Sequence, residues 1–90
     1  MTTMFVRHTV SDYKTWRKAY DDFAPVQKAK GVTAHQAVYQ AADNPNDITI
    51  THEFASVEAA QAFAKSAELK SAMQNAGVAG APTIWFTNKA

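Results

Sequence analysis

A chain of 90 residues with nine basic and eight acidic side chains, no cysteine and a formal net charge of +1 points to one small domain, 1–90. It lacks the disulfides and thiolate chemistry of cysteine-bearing proteins and the basic excess of a nucleic-acid binder. A core this thin favours association, so a homodimer is the expected state. No apolar run approaches the ~20 residues of a membrane span, and MTTMFVRH carries no signal-peptide pattern, which gives the expectation of a cytoplasmic protein with neither nucleic acid nor membrane as partner.

The first strand is expected over about Thr3 to Val10. Met4, Val6, His8 and Val10 alternate with Phe5, Arg7 and Thr9, the period of a strand with one buried face. Ser11 or Asp12 can cap the helix that follows, and Tyr13, Trp16, Tyr20 and Phe23 recur at three and four residues as one aromatic stripe. Pro25 forces a kink or restart near Phe23 and Ala24, and Gly31 ends the element. A second strand, Val32 to Gln40, is joined to the third through a turn over Ala41 to Asn46, which assigns Asp43 and Asp47 to turn chemistry.

Residues Asp47 to Phe63, DITITHEFASVEAAQAF, then repeat the opening pattern. His52, Phe54 and Ser56 correspond to His8, Val10 and Asp12, so His-x-apolar-x-cap occurs twice, each time where a strand passes into a helix. A helix over Ser56 to Lys65 is followed by one capped by Ser66, with Leu69, Ala72, Met73 and Ala76 on its apolar side. Gly77 and Gly80 terminate it, and Pro82 opens a last strand, Thr83 to Thr87. The order β-α-β-β-α-β is an α+β, ferredoxin-like arrangement. Strands one and three are expected to be central neighbours and parallel. On that pairing His8 and His52 lie side by side, with Cα atoms about 5 Å apart. Both helices would cover one sheet face, and the other, half apolar with two free edges, would pack on a second copy.

The segments HTVSDYKTWRKAYDDF, HQAVYQAADNPNDITITHEFASVEAAQAF and SAELKSAMQNAGVAGAPTIWF resemble the dimeric α+β barrel superfamily, nearest to its small antibiotic-biosynthesis-monooxygenase-like and cyclase-like proteins. The resemblance implies a ferredoxin-like protomer with helices on one face of an antiparallel sheet, two sheets forming a shared barrel, and a cleft between sheet and helices. The superfamily includes oxygenases, isomerases, haem-degrading enzymes and proteins of no known activity, so it implies function only coarsely. No catalytic residue carries over from the haem-degrading branch, whose helix-borne His has no counterpart in the second helical region.

His8 and His52 are the candidate catalytic groups. Each is equally readable as a hydrogen-bonded core histidine or as a proton-transfer group lining a pocket. A hairpin in which Gln40 faces Asp47 would bring His35 opposite His52, and three imidazoles suffice for a metal such as zinc. No carboxylate is placed to orient them, so no metal is assigned. Trp16, Tyr20, His35 and Tyr39 are the candidate substrate-binding residues, since aromatic walls with a few convergent polar groups make a small-molecule site. Arg7 and Glu53 fall on the opposite face as an expected ion pair. Two function classes stay open. One is a monooxygenase or cyclase-like enzyme without a bound cofactor, acting on an aromatic or polyketide-like molecule with a His base. The other is a non-catalytic dimer that binds a small molecule or metal through its histidines.

Overall fold

The computed structural model describes residues 1–32 and 36–90. The elements are β1 (Thr2–Val10), α1 (Tyr13–Asp22), α2 (Ala24–Ala29), β2 (Gln36–Ala41), β3 (Asn44–Phe54), α3 (Val57–Ala64), α4 (Ala67–Asn75) and β4 (Val78–Asn88). Each longer helix starts where a short polar side chain can take up an orphan N–H. Asp12 accepts from the Thr15 amide at 3.0 Å, Ser56 from Ala59 at 3.2 Å and Ser66 from Leu69 at 3.2 Å. The helical path restarts at Phe23, with Pro25 in the first turn of α2, where its missing N–H costs nothing. After α4 the chain turns through Gly77, at φ +78°. A Cβ there would stand 2.6 Å from Ser11 Oγ. The Gly77 carbonyl accepts from the Ser11 amide at 3.0 Å, so this junction closes against the start of α1.

The strands form one sheet in the order β2-β3-β1-β4, antiparallel at every pair, with helices packed on one face. The parallel pairing expected for the first and third strands is therefore corrected. A strand–helix–strand crossover does return parallel, but here it links β1 to β2, and the hairpin then places β3 between them. Met4 faces His52 and His8 faces Ile48, so the two histidines share a sheet face without being opposite one another. The hairpin is also one residue out from the expected register: Gln40 pairs with Ile48 and Gln36 with His52. Because strand side chains alternate, this slip exchanges the faces of the whole of β2. Asp47 belongs to β3, opposite Thr9, rather than to the turn, and β4 begins ahead of Gly80 and Pro82 instead of after them.

The covered face carries the core. Met4, Val6, Val10, Ile48, Ile50 and Phe54 are buried against Trp16, Phe63 and Leu69. Phe63 from α3 touches Phe54, His52 and Phe23, with ring centroids 5.5, 5.6 and 6.3 Å away. On the open face Phe5 stacks on Trp85 at 5.2 Å with the rings within 4° of parallel, while Tyr39 is 58% exposed. Arg7 there forms a two-point pair with Asp47, at 3.1 and 2.7 Å, and not the expected pair with Glu53.

β4 does not follow β1 evenly. Arg7 pairs with Thr83 and Thr9 with Ala79, so Gly80, Ala81 and Pro82 stand opposite the single residue His8. The strand bows outward there, as a bulge with extra residues must.

Candidate functional site

The site grows from the aromatic stripe of α1. Asn46 Oδ1 accepts from the Tyr13 amide at 3.1 Å and ties the first turn of α1 to the hairpin. From there Trp16 and Tyr20 point onto the sheet between the two histidines. His8 meets the Trp16 ring edge-on at 5.7 Å, Trp16 stacks on Tyr20 at 5.0 Å, and Tyr20 lies over His52 at 6.2 Å. Two rings thus join the two imidazoles across a sheet on which their strands hold them apart. The Tyr20 hydroxyl donates to Gln36 Oε1 at 3.1 Å, and burial raises its pKa.

Between these rings and α4 lies a cavity of about 30 Å³, lined by His8, Trp16, Tyr20, Gln27, His52 and Met73 among others. His8, Gln27 and His52 are 5%, 2% and 1% exposed. Both ring nitrogens of His8, Nδ1 of His52 and Oε1 of Gln27 are buried without a hydrogen-bond partner among the described residues. Buried polar atoms are paired in the great majority of cases, and an unpaired one costs about 1–3 kcal/mol. Three of the residues that line this cavity carry these four atoms, which makes it the candidate place for a polar atom of a bound molecule. The volume suits about one water molecule.

Burial lowers the pKa of both histidines, that of His52 to about 4. At His8 the carboxylate of Asp47, on the neighbouring strand, opposes the effect of burial. Both rings are neutral at pH 7, each with one nitrogen to donate and one to accept.

Of the residues singled out in the sequence, His8, His52, Trp16 and Tyr20 come together here. Tyr39 does not, because the register slip places it opposite Thr49 on the open face. His35 lies outside the described residues. Among the described residues no group of three His, Asp or Glu side chains is placed to hold a metal ion. Gln27 was missed. It continues the spacing of Tyr13, Trp16, Tyr20 and Phe23 by one more step of four, a signal that was present but carried by a polar residue. Its backbone is pinned from both sides, the amide donating to Phe23 O at 3.1 Å and the carbonyl accepting from Val32 at 3.0 Å.

No protein-family model matches the chain, and no curated protein does. Solved structures match over nearly its whole length. A candidate antibiotic biosynthesis monooxygenase from Bordetella bronchiseptica superposes with a TM-score of 0.83 at 13% identity, over 99% of this chain and 96% of that one. A similarly named protein from Caulobacter crescentus gives 0.76 at 17%, over 99% and 89%. A protein of unknown function from Nitrosomonas europaea gives 0.74 at 18%, over 96% and 85%. At these identities the likeness establishes the fold that the sequence resemblance implied.

Proposed function

We propose that the protein binds a small aromatic or polyketide-like molecule on the helix-covered side of the sheet, with one polar atom of it in the cavity between α1, α4 and the sheet, and acts on it as a monooxygenase or cyclase-like enzyme without an organic cofactor. The observation that carries this reading is that His8, Gln27 and His52 line one small cavity and carry buried polar atoms without a partner among the described residues. The names of several proteins that share the fold give it a direction.

In this scheme a neutral imidazole takes a proton from the substrate, and the electrons that reduce oxygen come from the substrate anion. His8 is the better base of the two, because the field of Asp47 favours the imidazolium that forms. His52, lowered to about 4 by burial, accepts a proton poorly and acts by orienting the polar atom of the substrate. Gln27 Oε1 accepts a hydrogen bond from a substrate hydroxyl. Oxygen uptake with a panel of electron-rich phenols and anthrones tests the reading. His8→Ala abolishes turnover in a protein that still folds, and His52→Ala weakens binding. Unchanged binding and turnover in both variants would leave the histidines as core side chains.

The functional unit is a homodimer through the open sheet face. Phe5, Trp85 and Tyr39 lie there on one surface, and apolar surface of this kind is what a second copy covers. Light scattering at micromolar concentration gives the dimer mass, and Tyr39→Glu together with Trp85→Glu gives the monomer.

A further inference from the structure

The histidine cavity, at about 30 Å³, accepts a single polar atom and no ring. Small-molecule sites are roughly ten times larger or more. A space of that size lies next to it. Between α4 and the bowed part of β4 is an open groove of about 530 Å³, whose walls are largely apolar through Leu69, Met73, Val78, Pro82 and Ile84. Leu69 and Met73, one turn apart on α4, line both spaces. They are the wall between a cavity with reacting groups but no room and a groove with room but no reacting groups.

The geometry points to this groove as the binding site for the body of a small organic anion, whose anionic end stays at the rim while a neutral polar head passes between Leu69 and Met73 to reach His8, Gln27 and His52. The inference rests on the histidine reading above and adds to it where the ligand lies and what charge it bears. The charge follows from the rim. Lys65 and Lys70 both line the groove, both are exposed, and neither takes part in an ion pair among the described residues. No acidic side chain lines the groove. The nearest in sequence, Glu68, is engaged with Lys30 at 3.5 Å. Two free cations over an apolar trough favour an apolar molecule with one anionic end, held at the rim by charge and in the trough by burial. Met73 suits the wall, because its unbranched thioether can change rotamer and open the passage without moving the backbone.

Fluorescence titration separates the parts of this inference. The probes are anilinonaphthalene sulfonate and phenylnaphthylamine, closely related ring systems with and without an anion. The sulfonate binds the native protein more tightly than the neutral probe. The Lys65→Glu, Lys70→Glu double variant, altered only at the surface, weakens the sulfonate about tenfold and leaves the neutral probe unchanged. Met73→Trp, which fills the trough, weakens both. In proton NMR the ring signals of His8 and His52 shift as a hydroxynaphthalene sulfonate, which carries both the anion and a hydroxyl head, saturates.

Equal affinity for the two probes, or no effect of charge reversal, overturns the groove. Silent imidazole signals overturn the passage through Leu69 and Met73. If the lysine variants change the monomer–dimer equilibrium and not probe affinity, a second copy occupies the groove and the inference falls. The lysine variants keep both histidines, so their failure speaks against the groove alone. Failure of the histidine reading shows in the alanine variants of the preceding section.

Discussion

The two faces of the sheet take alternate residues from the same strands and treat polar groups in opposite ways. On the open face Arg7 and Asp47 satisfy each other at the surface with two hydrogen bonds. One residue along the chain, on the covered face, His8 has two buried nitrogens without a partner among the described residues. The pair on the open face has solvent to screen it and gains little from its charges. The covered face excludes solvent, and a buried polar atom without a partner there bears the cost of desolvation.

The largest effect separating the faces comes from packing. Phe54→Ala removes a fully buried ring that Phe63 packs against and lowers unfolding free energy by about 3–5 kcal/mol in urea titration. Thr51→Ala, on the open face of the same strand, removes the hydroxyl that accepts from the Ala37 amide at 3.1 Å and costs about 1 kcal/mol.

Acid gives the next effect. The folded pKa of His52 is about 4, below the ~6.5 of an unfolded chain, so between these values the unfolded state binds the extra proton. The stability contributed by a neutral His52 is complete above pH ~6.5. It falls by about 1.4 kcal/mol per pH unit as the pH drops towards 4, a total of about 3 kcal/mol. His52→Phe flattens that part of the stability–pH profile, as denaturation at several pH values will show.

A smaller change of opposite sign is expected at Gln27. Gln27→Met replaces a buried amide whose Oε1 has no partner among the described residues with an apolar chain of similar length, raising stability by about 1 kcal/mol in the ligand-free protein while weakening ligand binding. A loss of stability instead would show that the amide is already satisfied. The smallest effect belongs to the open face. Arg7→Gln breaks the pair with Asp47 and leaves the urea midpoint of the monomer essentially where it was.

What could be read from the sequence follows the range of the interactions involved. Asp12, Ser56 and Ser66 cap helices through contacts three residues away, and those helix starts were legible. So was the restart at Phe23, because Pro25 acts on its own neighbourhood. Pairing direction depends on how a crossover and a hairpin combine, and the repeated His-x-apolar-x-cap suggested a side-by-side match that this topology does not make. Tyr39 shows the sensitivity of register, where one residue of slip was enough to carry it from the site to the open face. Gln27 was hidden by its type, since a glutamine between Val26 and Lys28 reads as solvent-facing until the aromatic stripe is extended through it.

The position of β4 also has a consequence in time. Its ladder with β1 runs from Val10–Val78 out to Thr2–Asn88, and the Thr2 hydroxyl donates to Asn88 Oδ1 at 2.7 Å. Contacts between residues so far apart in sequence close the largest loop the chain can form, and folding slows as such pairings come to dominate. The β2–β3 hairpin is local and can form early. β1 stays a bare edge on one side until the last strand leaves the ribosome, and during synthesis Met4 and Val6 have only part of their final cover. The strand that carries His8 is thus the last to be enclosed, and the bulge beside it is set only at the final step.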